Sequence, residues 1–149
     1  MEILPGRRPA VSLVLDSSAA LAWIYAEETT EAVRRIFEIV AEDGALVPAL
    51  WRLEVANSPT VAVRRGRIDA AFRNAALADL ALLDITTDPH TDAYGWTTTL
   101  HLADRFRLTL YDAAYLELAH RSSLPLASLD EELRAAGRAL GVPLLGTAA

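Results

Sequence analysis

Four acidic residues stand just past short apolar runs, or one helical turn beyond them: Asp16, Glu54, Asp112 and Asp130. Apolar runs of this length are typical of buried parallel strands, and the carboxyl ends of such strands line the crevice where open α/β sheets bind ligands. Four carboxylates gathered there would repel one another unless hard cations such as Mg²⁺ or Mn²⁺ lay between them. The spacing therefore predicts a site for one or two divalent metal ions.

A carboxylate-lined metal site is suited to phosphodiester hydrolysis. That reaction needs a deprotonated water and neutralisation of charge on the leaving oxygen, and two ions about 3.5–4 Å apart supply both. Such ions prefer hard oxygen ligands, and sharing an ion takes two or more carboxylates. The four acids therefore indicate a metal-dependent hydrolase as one interpretation.

Each acid also has an ordinary structural interpretation. Three of the four precede or begin a predicted helix, where a carboxylate can cap free backbone N–H groups. Glu54 lies inside a helix between Leu53 and Val55, so capping does not explain it. Its alternative is a surface acid paired with Arg52 or Ser58. One such acid decides little, but four at equivalent ends of one sheet favour the metal site.

The elements that must position these acids are short apolar runs alternating with segments of helical periodicity, a pattern typical of βαβ units. We expect an α/β fold: one three-layer α/β/α domain over residues 11–149, with a central parallel sheet of four or five strands, after an irregular arm over residues 1–10. The predicted strands are Val11–Leu15, Ala45–Val47, Leu83–Thr86, Leu126–Leu129 and Val142–Leu145.

Two predicted helical segments carry further expectations. Pro59 comes one turn after Glu54, and a proline inside a helix removes a hydrogen bond at a cost of about 3 kcal/mol. We therefore expect a kink or break near Ser58 and Pro59. Farther along, a single long helix is predicted from Thr91 to near Phe106.

The composition excludes several classes of function. The chain has 149 residues, a net charge of −6 and no cysteine, and all 14 basic residues are arginine. Without lysine there is no Walker A phosphate loop. Without cysteine there is no disulfide or thiolate metal site, so the expected compartment is the cytoplasm. No apolar stretch approaches the roughly 20 residues that span a bilayer, so no membrane partner is expected.

None of the three histidines is predicted to bind a metal. Glu117 and His120 have the i, i+3 spacing used in carboxylate-bridged di-iron sites, but those sites need a second copy, which this sequence lacks. Both are expected on a solvated helix face. His90 and His101 have no partner at zinc-ligand spacing, so no zinc site is predicted.

The densest basic cluster consists of Arg64, Arg65, Arg67 and Arg73. It could grip RNA phosphates, because arginine neutralises the backbone charge of nucleic acids. It could equally be a solvated face whose arginines pair with local acids. The sequence leaves both interpretations open.

Five segments together are similar to a known family, and their order and spacing are more specific than any one of them. Over about Val11 to Leu145 the chain resembles the PIN-domain ribonucleases, in particular the VapC-type toxins of prokaryotic toxin–antitoxin pairs. The segments, in chain order, are VSLVLDSSAALAWI, VPALWRLEVAN, RRGRI, LTLYDAAYLELA and LPLASLDEELRAA.

The resemblance implies that Asp16, Glu54, Asp112 and Asp130 are the catalytic and metal-site acids. Ser128 falls where the family often has a small hydroxyl residue. The resemblance further implies Mg²⁺- or Mn²⁺-dependent endonucleolytic cleavage of structured transfer or ribosomal RNA. It also implies a homodimer and inhibition by a small VapB-type antitoxin encoded beside it. The sequence departs from the family at residues 58–59, where it has Ser-Pro and the family usually continues the helix smoothly.

We therefore expect a metal-dependent endoribonuclease acting as a toxin. Two rivals stay open. One is a catalytically silent PIN-like module that uses the acidic crevice to bind a partner's arginine, which Pro59 favours. The other is a nuclease of RNA or DNA processing that is not a toxin.

Overall fold

The structure is a computed structural model that describes residues 11–25 and 28–147. The predicted arm over residues 1–10 lies outside the described residues. Five strands and eight helices alternate along the described chain, and no described helix is both long and apolar enough to cross a membrane. In chain order they are β1 (Val14–Leu15), α1 (Ser17–Ile24), α2 (Glu31–Asp43), β2 (Ala45–Val47), α3 (Trp51–Arg64), α4 (Ala70–Ala81), β3 (Ile85–Thr87), α5 (Thr91–Tyr94), α6 (Thr98–Phe106), α7 (Leu110–Ser122), β4 (Leu126–Ala127), α8 (Glu131–Ala139) and β5 (Leu144–Leu145).

The five strands form one parallel sheet in the order β3-β2-β1-β4-β5, which confirms the predicted α/β fold. From β1 the chain builds the sheet outward to β3, and it then returns to place β4 on the other side of β1. The strand order therefore reverses between β1 and β4, where Val14 pairs with Leu126. Ligands of open α/β sheets bind outside the carboxyl ends of strands at such a reversal.

The strands are shorter or shifted relative to the apolar runs that predicted them. The first run begins at Val11, but β1 pairs only from Val14, although Leu13 is fully buried. Similarly, β4 ends at Ala127 instead of Leu129. An apolar run marks the length of chain that is buried, whereas only part of that length pairs in the sheet.

Helix α3 runs through Pro59 without interruption, so the expected break near Ser58 is wrong. Pro59 is buried, and α3 packs against both α1 and α4. We attribute the continuity to this packing, which opposes the cost of about 3 kcal/mol for an interior proline. Glu54 precedes Pro59, in the first turn of the helix.

The single long helix predicted from Thr91 to Phe106 is also wrong. The chain forms the short α5 and then α6, separated by Gly95 and two further residues. Glycine and β-branched threonine both lower helix propensity, and threonines occupy the last position of the interruption and the first two of α6, residues 97–99. The helical periodicity of the whole segment predicted one helix, because periodicity does not report this local drop in helix propensity.

Helix α7 is the best-enclosed helix and carries residues of the candidate site. Its residues from Ala113 to Ala119 are all buried, so the helix has no solvent-facing stripe along that length. A helix that is buried all round must lie within the core of the domain. In its first turn Asp112 is half-buried, and Thr109 is the N-cap.

Candidate active site

Asp16 follows β1 directly and is 2% exposed. It occupies the N-cap position of α1, yet its side chain makes no capping hydrogen bond. Instead the hydroxyls of Ser18 and Ser128 donate to the same oxygen, Oδ2, at 2.6 and 2.8 Å. Burial raises the pKa of Asp16, the two hydroxyls partly offset the rise, and the charge of Asp130 adds to it. The capping interpretation therefore fails for Asp16.

Ser128 connects the ends of the two central strands. Its hydroxyl donates to Asp16 and accepts from the backbone N–H of Asp130 at 3.1 Å, while Ser18 Oγ accepts from the backbone N–H of Leu129 at 2.9 Å. The backbone N–H of Asp16 in turn donates to the carbonyl of Ala127 at 3.0 Å. These bonds fix the loop after β4 against the loop after β1.

Asp130 is the N-cap of α8, as its capping interpretation expected. Its Oδ2 accepts from the backbone N–H of Leu133 at 2.8 Å. The same residue contributes to the charge that raises the pKa of Asp16 and of Asp112. Asp130 can therefore cap α8 and still belong to the group of four acids.

Glu54 is half-buried and is not a simple surface acid. The hydroxyl of Tyr115, which is fully buried on α7, donates to Oε1 of Glu54 at 2.7 Å. Burial raises the pKa of Glu54, the bond from Tyr115 lowers it, and the charge of Asp16 raises it again. Arg52 donates instead to Thr87 Oγ1 at 2.8 Å, so the predicted pairing with Glu54 is not formed.

Tyr115 is a site residue that the sequence interpretation missed. It stands three residues after Asp112 in the same helix, so the two side chains share a face. That i, i+3 spacing was the available signal. The sequence pattern did not single out Tyr115, because a tyrosine in an apolar helix is usually a core residue.

Asp112 feels the charge of each of the other three acids. It lies in the first turn of α7, where Thr109 is the cap and accepts from the Asp112 backbone N–H at 3.1 Å. Burial, followed by the charges of Asp16, Asp130 and Glu54, raises the pKa of Asp112 to about 6. All three other acids therefore act on this carboxyl. Among the described residues, none of the four forms an ion pair with a basic side chain.

The chemistry of this donor set fits a hard divalent cation. The oxygens are carboxylates, they repel one another, and the described part of the chain supplies no counter-charge to them. In their present positions, however, no three Asp, Glu or His side chains of the described residues form a group that could hold a metal ion. Side-chain rotation is therefore required before several of the acids can share one ion.

Glu117 is not on a solvated face, so that prediction is wrong. It is buried and accepts from Arg121, whose Nε lies 2.7 Å from Glu117 Oε2. Arg121 also donates to Asp88 Oδ2 at 2.7 Å, and its guanidinium lies over the ring of Tyr94 at 4.5 Å. His120 is exposed, as expected. We call the four residues around this guanidinium the Arg121 network: Asp88, Tyr94, Glu117 and Arg121.

Within the described residues, the basic cluster does not form the pairs with local acids that one of its two interpretations supposed. Arg64, Arg65 and Arg67 are exposed, and Arg73 is half-buried and donates to Thr60 and Asn74 side-chain oxygens. Over the described ranges, none of these arginines pairs with a carboxylate.

The PIN domain family matches residues 13–139, a stretch that contains all four acids. The chain belongs to the PIN-domain family. PIN domains are generally metal-dependent nucleases that usually use Mg²⁺ or Mn²⁺. The crystal structure of PAE2754 from Pyrobaculum aerophilum is similar to this PIN domain, with a TM-score of 0.65 and 28% identity over 91% of each chain. A comparison with curated proteins finds no significant match.

Proposed function

We propose that this PIN-domain protein is a Mg²⁺- or Mn²⁺-dependent endoribonuclease. In this proposal Asp16, Glu54, Asp112 and Asp130 are the catalytic acids that hold one or two ions. The observation that carries it is that the buried Asp16 carboxylate and the Asp130 backbone meet at one serine, Ser128, beside the reversal of strand order, while no described basic residue pairs with any of the four acids. A pocket of this charge is stabilised by cations.

The surrounding residues orient the carboxylates. Ser18 and Ser128 donate to one oxygen of Asp16, and Tyr115 donates to one oxygen of Glu54. Donors on one side of a carboxylate fix its plane and direct its other oxygen toward a ligand. Divalent ions, when bound, supply the acidity that deprotonates a water and the charge that stabilises the leaving oxygen. With no lysine or cysteine in the chain, neither a thiolate nor an amine nucleophile is available.

The direct test is an RNA cleavage assay with a matched pair of variants. The wild-type protein should cut RNA with Mn²⁺ or Mg²⁺ and stop when EDTA is added. Asp16→Asn should reduce cleavage to the EDTA level, whereas Asp104→Asn, which changes an exposed acid on α6, should not. Equal activity of Asp16→Asn and the wild type would exclude the proposed site.

We further propose that the enzyme is the toxin of a VapBC-type pair, acting in the cytoplasm as a homodimer on transfer or ribosomal RNA. The order of the five family-like segments supports this. An open groove of about 780 Å³ between α1, α3 and α4 supports a peptide antitoxin as partner, since it is lined by apolar side chains including Ile24, Val61 and Phe72 together with Arg65 and Arg67. Induced expression should arrest growth, and the product of the neighbouring gene should relieve the arrest.

The catalytically silent module remains the rival. Pro59 supports it less than expected, because α3 is continuous through the proline. The absence, within the described residues, of an assembled three-ligand group favours it. Calorimetry decides: no heat of Mn²⁺ binding to the wild type would establish the silent module. Cleavage without growth arrest would instead indicate a processing nuclease.

A further inference from the structure

An open groove of about 710 Å³ lies along α3 beside the candidate site. Glu54 lines it, so it is continuous with the acidic pocket. Tyr111, the residue immediately before Asp112, lines it from α7. We call it the α3 groove and define it by Leu53, Glu54, Asn57 and Tyr111. Its volume is in the range of pockets that hold small molecules, about 300–1,000 Å³.

The lining of the α3 groove suits an uncharged, flat group. Leu53 is 79% exposed and Tyr111 is 61% exposed, so both present apolar surface to solvent. Asn57 is exposed four residues after Leu53 on the same helix face, and its amide both donates and accepts hydrogen bonds. The groove thus combines an aromatic ring, an aliphatic side chain and an amide.

The charge of the α3 groove argues against a phosphate there. No basic side chain lines it, and Glu54 contributes a carboxylate. Away from the ions proposed at Glu54, the groove therefore offers no cationic side chain to the phosphates of a nucleic acid. The groove between α1, α3 and α4 differs, because Arg65 and Arg67 line it. Among the uncharged parts of a nucleotide, the base is the flat, aromatic one that can stack on a side-chain ring.

We infer that the α3 groove binds an unpaired base of the substrate strand, stacked on Tyr111 beside Leu53, with Asn57 at the edge of the base. The inference rests on the proposed nuclease function, since Glu54 joins the groove to the proposed metal site. A base in a duplex is already stacked on both faces and paired along one edge, so only an unpaired base can lie on a side-chain ring. Binding in the α3 groove therefore depends on the base being unpaired.

Binding is measured by fluorescence anisotropy of a fluorescein-labelled U12 RNA and of its duplex with A12. All proteins carry Asp16→Asn, so that the RNA is bound and not cut. Tyr111→Ala should weaken binding of single-stranded U12 by roughly 5- to 150-fold, the range found when a stacking aromatic is removed. Tyr111→Phe keeps the ring and should bind within about twofold of the parent, because stacking is sequence-tolerant and needs only a π-face.

Two leucines give a matched control. Leu53→Ala should weaken binding of U12, whereas Leu82→Ala should not, because Leu82 is 85% exposed but does not line the groove. Duplex binding should be the same in all variants. Thermal unfolding followed by circular dichroism verifies that each variant is folded, as expected for substitutions at exposed positions.

The outcomes separate this inference from the proposed function. If the wild type cuts RNA but Tyr111→Ala binds U12 as the parent does, the groove is not a base site and the nuclease stands. If Tyr111→Ala loses affinity while the wild type cuts no RNA with Mn²⁺, the base site stands and the nuclease fails. Equal losses for U12 and duplex, or no binding of U12 by the parent, would overturn the base site.

Discussion

Among the described residues, buried acids occur in two groups: Asp16 in the candidate site, and Asp88 and Glu117 in the Arg121 network. The two groups differ in how the acidic charge is compensated. In the Arg121 network, Asp88 and Glu117 are both buried and share one guanidinium. In the candidate site, Asp112 lies within range of the charges of the other three acids, and over the described residues none of the four pairs with an arginine. A buried charge is costly unless it is paired.

The pKa values record this difference. Burial alone would raise the pKa of Asp88, but the hydrogen bonds and charge of Arg121 hold it below the ordinary value. Burial and three neighbouring acids instead raise the pKa of Asp112 to about 6. The first group is complete without a ligand and ties α7 to the loop after β3. The second lacks positive charge, which is why we assign it to metal binding.

The largest expected effect comes from breaking the complete group. Arg121→Ala would leave Asp88 and Glu117 buried without their partner, and removing one member of a buried ion pair costs about 3–5 kcal/mol of unfolding free energy. We expect a loss of about 3 kcal/mol in urea denaturation at pH 7. Mn²⁺ affinity, measured at a temperature where the variant is folded, should stay within about threefold of the wild type.

The control for this change is Arg34→Ala. Arg34 pairs with Glu31 at 2.9 Å, but both side chains are more than half exposed. Exposed pairs contribute about 0–1 kcal/mol, so this variant should lose less than about 1 kcal/mol. Similar losses for the two arginine variants would show that the Arg121 network is not a structural ion pair.

The sequence predicted the parts of this comparison unequally. The α/β fold and the positions of Asp16 and Asp130 at strand ends followed from apolar runs, because burial leaves a pattern along the chain. The Arg121 network could not be predicted from the sequence, because the burial of Glu117 is explained only by Arg121 and Asp88 together. Asp88 is distant from both in sequence. Spacing within one helix could not show that Glu117 faces the interior.

Tyr115 shows the same limit inside the candidate site. Its fully buried ring fits the apolar pattern of α7, but its hydroxyl reaches Glu54, which lies 61 residues earlier in the sequence. Contacts between distant elements depend on the packing of helices, which the order of residues does not display. The four acids could therefore be proposed one by one from the sequence, whereas Tyr115 and the bonds between distant residues could not.

The next largest effect is expected from Tyr115→Phe, which tests whether Tyr115 orients Glu54 or only stabilises the fold. Tyr115→Phe removes the hydroxyl that donates to Glu54 and keeps the buried ring. Loss of groups that orient metal ligands lowers affinity about 10- to 100-fold, so Mn²⁺ affinity measured by calorimetry should fall about 10-fold. Stability should fall by only about 1 kcal/mol, the usual contribution of one hydrogen bond.

Tyr94→Phe is the matched control for the hydroxyl, since the ring of Tyr94 contacts Arg121 in the other acidic group. It should leave Mn²⁺ affinity unchanged. If Tyr115→Phe also binds Mn²⁺ as the wild type does while losing stability, Tyr115 is a structural residue and Glu54 does not depend on it for orientation.

The smallest expected effect is the pH dependence of the metal-free protein. Because the pKa of Asp112 is about 6 when folded and lower when unfolded, the folded state holds its proton more tightly. That contribution to stability is present at low pH and is lost as the pH rises through about 6. Asp88 has the opposite sign: its lowered pKa stabilises the fold until the pH falls below its ordinary value of 3.8.

Urea denaturation in EDTA from pH 5 to pH 8 measures the effect of Asp112. The unfolding free energy of the wild type should fall by on the order of 1 kcal/mol across this range, an amount reduced by solvent screening because Asp112 is only half-buried. Asp112→Asn should flatten the profile and be the more stable protein at pH 8. Contributions that are common to both proteins cancel in the difference between the two profiles. Parallel profiles for the two proteins would mean that Asp112 does not carry the repulsion of the other acids, and the contrast between the two acidic groups would then rest on Asp88 alone.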